Sequence, residues 1–516
     1  MNTERWNRET DVVVVGTGFA GLSAAIEAAR AGAGVLVLEK NDMPGGLSIM
    51  AGGHMIMCNT HIQRKQGVDD RVEWGIEDEL KDSDYRAVPE IVRTYVERAA
   101  ETVLWYEQLG LVWADVMQDT GGRVPRGHRA APSPNTVGGW PLSSGITEIQ
   151  VLLNELDRLG VPILLKHRMR KIHRQSPHGP VLGVSVDAEG GSINIKARKG
   201  VVLATGGYTT NKQMIEAWDS RLVDDCFYSD GLPYCASMGD SLVAGLEVGA
   251  GLSDMSFVSF LPVKWGSHVY QWWEPKSMKT VPSGNVGISM EGDCWQRIVQ
   301  VKNDGARYVN EMEVARPGNA ERPEQPFMAG FLGLPKPRNV WAITDAEGAA
   351  AMKWPVDAIR DPQPLVVPCL YPDSVAVADS IQMLAAKTGI PPLSLEATVT
   401  QYNGFAEAGV DRDFGKPQPL HRIAHPPFFA AKLNVLIHTQ CGGLRVNTKS
   451  QVVDRSEQED AMLARSIDEE KVIPHLYAAG ECAASIGWRR THGKIGTYTT
   501  LGRIAGENVA AERHLD

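Results

Sequence analysis

Asp11-Val12-Val13-Val14-Val15-Gly16-Thr17-Gly18-Phe19-Ala20-Gly21 runs on into LSAAIEAARAGAG and closes with Val35-Leu36-Val37-Leu38-Glu39. The β-branched run predicts a buried parallel strand. The Ala-rich stretch, with Leu22, Ala25, Ile26 and Ala29 on one face, predicts a helix that Gly32 and Gly34 end. A second apolar run predicts a second strand. Between strand and helix, Gly16 permits a tight turn. Gly18 lets backbone touch a pyrophosphate whose charge sits on the helix N-terminus, and Gly21 allows close helix–strand packing. Glu39 stands eighteen residues after Gly21, where an acid binds ribose hydroxyls and repels a 2′-phosphate. The expectation is an α/β, Rossmann-like domain that binds an adenine dinucleotide.

The rest of the chain narrows the class. Its 516 residues exceed one ordinary domain, and 43% are hydrophobic, enough for a large core. The formal net charge of −10 argues against nucleic acid or an anionic membrane surface as main partner. Seven cysteines lie far apart with no CxxC, so neither a disulfide framework nor a metal site is expected, and a reducing compartment fits. The N-terminal MNTERWNRET has no apolar core of a signal sequence, and no run approaches a membrane span. A cytoplasmic location is the expectation. No second GxGxxG, haem attachment motif or iron–sulfur cysteine cluster is present, so electrons must come from, or go to, an external donor or acceptor.

A second glycine-rich stretch, Pro44-Gly45-Gly46-Leu47-Ser48 with Ala51-Gly52-Gly53, follows Glu39-Lys40 at once. A nicotinamide domain would continue with ordinary βα units, whereas a flavin needs a longer backbone cradle. Further ordered stretches are Val201-Val202-Leu203-Ala204-Thr205-Gly206-Gly207-Tyr208, Met238-Gly239-Asp240-Ser241 and Asp304-Gly305-Ala306-Arg307-Tyr308-Val309-Asn310-Glu311. The last are His438-Thr439-Gln440-Cys441-Gly442-Gly443, Leu476-Tyr477-Ala478-Ala479-Gly480-Glu481 and Gly502-Arg503-Ile504-Ala505-Gly506. On these the chain resembles the FAD-dependent oxidoreductases of the fumarate reductase/succinate dehydrogenase flavoprotein superfamily, particularly soluble fumarate reductases, 3-ketosteroid dehydrogenases and cyclic-ketone desaturases.

The resemblance implies a discontinuous FAD domain, residues 1–256 and 437–516, with an inserted α+β cap at 257–436. It implies cofactor contacts at Gly16, Gly18, Phe19, Ala20, Gly21, Glu39, Lys40, Gly45, Gly46, Ser48, Gly52, Gly53, Ala204, Thr205, Gly206, Asp240, Gly442, Gly480, Glu481 and Gly496. It also implies non-covalent FAD, because Leu47-Ser48-Ile49-Met50 lacks the histidine that links the cofactor in membrane-bound relatives.

The family's shared reaction makes or removes a C=C bond beside an electron-withdrawing group. Hydride passes between the β-carbon and flavin N5, and a proton passes between the α-carbon and a side chain. The resemblance points to His438 and Thr439 facing the substrate. It also points to the basic loop Arg489-Arg490-Thr491-His492, where Arg489 or Arg490 would clamp a carboxylate and His492 stands at a tyrosine's place. Fumarate reductases carry an acid arginine in the cap; the matching stretch, Val340 to Met352, has none. Fumarate itself is therefore disfavoured. For the proton, Tyr308, Tyr498 and Tyr234 stay open. The expected activity is desaturation of a cyclic ketone, such as an oxocyclohexanecarboxylate or a 3-ketosteroid. Reduction of an enoate or enone is the alternative, and a flavin-binding protein without turnover is a third reading. Partners would be a small-molecule substrate and an electron acceptor or donor, and an oligomer is compatible with the sequence. His128-Arg129 resembles a family "HR", against a plain surface turn.

Overall fold

The computed structural model describes residues 5–117, 122–131, 136–137, 140–141, 144–222, 227–229, 237–256, 258–260, 264–265, 272–274, 279–281, 295–315, 326–354, 356–360, 375–456, 466–484 and 494–515. The chain forms two compact units. One comprises Met1–Trp218, Pro233–Val258 and Thr439–Asp516; the other comprises Asp219–Leu232 and Ser259–His438.

The first unit is built on a sheet whose centre is parallel. The strand Arg8–Val15 lies between Gly191–Leu203 and Val35–Leu38, and Val472–Ala478 and Ile163–Leu164 extend the two sides. Val12 to Val15 are buried, as a strand covered on both faces requires. The helix Phe19–Arg30 follows, and Gly32, at φ 85°, turns the chain out of it. Antiparallel strands Arg168–Arg174, Val181–Ala188 and Gln451–Val453 complete the sheet.

The closing helix Lys494–Ala511 packs along the helix Phe19–Arg30 with backbone against backbone. A Cβ at Gly502 would overlap the Ala20 carbonyl oxygen, and one at Gly506 would overlap that of Ala24. Glycine four residues apart on one helix therefore meets alanine four apart on the other, and this joins the two ends of the chain.

The second unit is centred on the long strand Phe428–Gln440, which pairs antiparallel with Trp341–Thr344 and Val375–Ala378. Its core includes Val299, Ile343, Leu384, Leu395 and Tyr402. A buried ionic network crosses it: Arg307 donates to Glu311 at 3.0 Å and to Asp411 at 2.9 Å, and Lys416 donates to the Ile298 carbonyl at 2.6 Å. Among the described residues, no helix is long and apolar enough to cross a membrane.

Candidate active site

Three backbone turns of the first unit build a cradle. Gly16 has φ 109°, and a Cβ there would overlap the Ala204 carbonyl oxygen. A Cβ at Gly21 would overlap the Gly16 carbonyl oxygen. These two glycines are required by packing, in the roles the turn and the helix–strand contact demand. Gly46 and Gly52 differ: a Cβ at either would meet no atom within 4 Å. Open backbone at 46 and 52 fits a flat cofactor laid along the chain.

Glu39 is buried, 5% exposed. Its carboxylate accepts from the Thr17 hydroxyl, from the Thr17 N–H at 3.3 Å and from the Asn41 N–H at 3.0 Å. Burial pushes its carboxyl above the ordinary range, and these donors oppose that rise. Thr17 in turn accepts from the Gly45 N–H at 2.9 Å, which couples the first glycine turn to the second. Ser48 Oγ accepts from the Phe19 N–H at 3.2 Å, at the start of the helix Phe19–Arg30. Asp240 is held by Lys40 at 3.1 Å and Arg168 at 2.6 Å, and Thr205 donates to Ser241 at 2.7 Å.

Gln440 ties three of the flavin motifs together. Its side-chain oxygen accepts from the Tyr208 N–H at 3.0 Å, and its own N–H donates to Glu481 at 3.2 Å. Gly442 packs against the backbone of Asp254 and Met255, Gly480 (φ 79°) against Ala20, and Gly496 against Met57. Gly53 and Gly206 also take positive φ, 68° and 72°.

The candidate catalytic residues fall into three groups. His438 and Thr439 end the long strand Phe428–Gln440, both half-buried. Thr439 Oγ1 accepts from Lys494 Nζ at 3.3 Å, and Lys494 Nζ also donates to Cys441 Sγ at 2.9 Å. Tyr498 lies one turn beyond Lys494 on the closing helix. Its hydroxyl oxygen is buried and has no hydrogen-bond partner among the described residues. Tyr308 belongs to the second unit, where its hydroxyl donates to Gln300 at 3.0 Å. Burial pushes both phenols far above their ordinary range, and Glu481 near Tyr498 and Glu311 near Tyr308 add to it. Both stay protonated at neutral pH and so present an O–H to a hydrogen-bond acceptor. Arg489, Arg490, His492 and Tyr234 lie outside the described residues.

His128 is fully buried, not on a surface turn. It contacts Thr60 Oγ1 at 2.9 Å and the Arg126 carbonyl at 2.8 Å. Burial lowers its pKa to about 4, so it is neutral. Thr17, Arg168, Gln440 and the contacts of Lys494 were missed in the sequence. Thr17 occupies a variable position of GxGxxG. Arg168 is distant in the chain from Asp240. Lys494 was visible only as the last residue of a basic loop.

The FAD binding domain family matches residues 11–496. The chain belongs to this family. As a family member it binds FAD and is an oxidoreductase. It is similar to a probable fumarate reductase of Shewanella frigidimarina, at 30% identity over 97% of this chain and 75% of that protein. It is similar, at 26% identity, to the 3-oxosteroid 1-dehydrogenase of Mycolicibacterium smegmatis, over 98% of both chains. The open conformation of a flavocytochrome c3 fumarate reductase superposes with a TM-score of 0.74 at 29% identity, covering 98% of this chain and 78% of that one. The fold expected for an FAD-binding flavoprotein with a cap is therefore the fold observed. FAD supplies the two-electron acceptor and donor. Glu39, the glycine turns, Ser48 and the Gln440–Glu481 pair are the residues that would hold it.

Proposed function

We propose that the chain reduces an activated alkene, a C=C bond conjugated to a carbonyl or carboxylate, using hydride from reduced FAD. The observation that carries this reading is the Tyr498 hydroxyl: buried, without a partner among the described residues, and on the helix that closes the flavin motifs. In this reading Tyr498 gives its proton to the α-carbon as hydride reaches the β-carbon, and water restores it. His438 and Thr439 bind the electron-withdrawing group, with Arg489 or Arg490 at a carboxylate. The similarity to fumarate reductases supports the direction. The absence of arginine from Val340 to Met352 argues that fumarate is not the substrate.

The reverse reaction, desaturation of a cyclic ketone, is the second reading. The similarity to a 3-oxosteroid 1-dehydrogenase over 98% of both chains favours it. It needs a base at the α-carbon, and the same phenol that gives the proton in reduction would take it in desaturation.

Steady-state assays with a reduced viologen as donor, over cyclic enones, enoates and fumarate, test the direction. Consumption of an enone or enoate with fumarate inert is the expected result. Bleaching of the oxidised flavin by saturated cyclic ketones, with no alkene consumed, would reverse the assignment.

A further inference from the structure

Two segments distant in the chain run side by side at Glu39. The Glu39 N–H donates to the Leu164 carbonyl at 2.9 Å, the Lys166 N–H to the Asn41 carbonyl at 2.9 Å and the His167 N–H to the Glu39 carbonyl at 2.8 Å. Arg168 comes next and opens the strand Arg168–Arg174. A terminal nitrogen of its guanidinium donates to one Asp240 oxygen at 2.6 Å, while Lys40 donates to the other at 3.1 Å. All of these residues belong to the first unit.

Two side-chain donors in this frame are buried and have no hydrogen-bond partner among the described residues: Arg168 Nε and Asn41 Nδ2. Charge is not what they lack. Asp240 compensates the guanidinium through its terminal nitrogen, and Asn41 is neutral. What is unmet is directional: each has an N–H taken from water and given no acceptor. Native proteins leave few such groups. The Asn41 main chain is engaged on both sides, its N–H with the Glu39 carboxylate at 3.0 Å and its carbonyl with Lys166, so the backbone carrying the amide is fixed. Two unmet donors and the Glu39 carboxylate, an acceptor, make a mixed set. An adenosine matches it: ribose hydroxyls give to a carboxylate, and ring nitrogens and ribose oxygens take from N–H groups.

We propose that Arg168 and Asn41 bind the adenosine half of FAD and so select FAD over FMN, which ends at its phosphate and carries no adenosine. Asp240 acts here as a positioning residue, holding the guanidinium by one nitrogen and leaving Nε–H for the cofactor. The role concerns cofactor binding alone. A wrong assignment of substrate or reaction direction would leave it unaffected.

Apoprotein of the full chain, titrated with FAD and with FMN while flavin fluorescence is followed, tests it. The wild type should prefer FAD. Arg168→Met should weaken FAD at least about tenfold and FMN by less than about threefold, with the unfolding midpoint of the apoprotein unchanged. Arg168→Lys, which keeps a cation for Asp240 but lacks the guanidinium edge, should behave the same way. Asn41→Ala should weaken FAD about fivefold or more, again sparing FMN. Unchanged FAD affinity in these variants overturns the proposal. So does equal weakening of FAD and FMN with a lowered midpoint, because the residues would then brace the fold. If Arg168→Met fails to fold, Arg168→Lys and Asn41→Ala decide by the same ratio, and failure of all three to fold counts as the brace.

Discussion

Glu39 sits at 5% exposure with three donors from Thr17 and Asn41 around its carboxyl. Glu39→Ala removes the acceptor and leaves those donors unpaired, at about 1–3 kcal/mol for a buried group left unsatisfied. FAD affinity measured by fluorescence titration should fall about 10–100-fold, and an unchanged affinity would remove Glu39 from the cofactor site. Tyr498→Phe removes the proposed proton donor without changing the ring. Turnover should fall by about 10²–10⁴, with the FAD spectrum retained; full activity would assign the proton elsewhere. At this scale the sequence was readable where chemistry is local. Gly16, Gly21 and Glu39 declare themselves by spacing; Gly16 takes φ 109°, and both glycines pack against backbone. Tyrosine roles were not readable, because protonation depends on burial that only the folded chain sets. The same limit hid Lys494, whose partners Thr439 and Cys441 lie more than fifty residues away.

The pairing of the helices Phe19–Arg30 and Lys494–Ala511 depends on absent side chains. Gly502→Leu would drive a side chain into the Ala20 backbone, so urea unfolding should show a loss of about 1–3 kcal/mol. Ala511→Leu, at the exposed end of the same helix, serves as the control. The strand–turn–helix order of the first forty residues was legible, since apolar period and glycine spacing agree there. The pairing of two helices nearly five hundred residues apart was visible only as a family motif, Gly502 to Gly506, whose partner alanines no local pattern identifies. The stretch Leu47 to Met50 makes a second prediction for this scale. Denatured holoenzyme should release its flavin to the supernatant, and yellow colour retained in the precipitated protein would mean a covalent bond.

Two compact units share one chain, and each buries charge. In the first, Arg126 bridges Asp70 at 2.7 Å and Asp78 at 2.6 Å. Burial alone would raise Asp70, but Arg126 more than offsets it, and the carboxyl ends below the usual range. His128 beside it is depressed from 6.5 to about 4 by burial. Both folded pKa values lie below the unfolded ones, so the unfolded chain binds more protons as pH falls. The His128 contribution is complete above pH 6.5 and is lost as pH falls towards about 4, on the order of 3 kcal/mol. The Asp70 contribution is lost below about 3.8. The unfolding midpoint should therefore drop between pH 7.5 and 5, and His128→Asn should flatten that drop; equal slopes would place the titration elsewhere. That each unit is drawn from separated segments of the chain is a long-range property that no local sequence pattern specifies. Alkene reduction is tested most directly by anaerobic mixing of dithionite-reduced holoenzyme with cyclic enones and enoates while the oxidised-flavin absorbance is followed. Rapid return of that absorbance, with formation of the saturated product, is the predicted result. A flavin that stays reduced with every alkene, yet is bleached from its oxidised form by a saturated ketone, would contradict it.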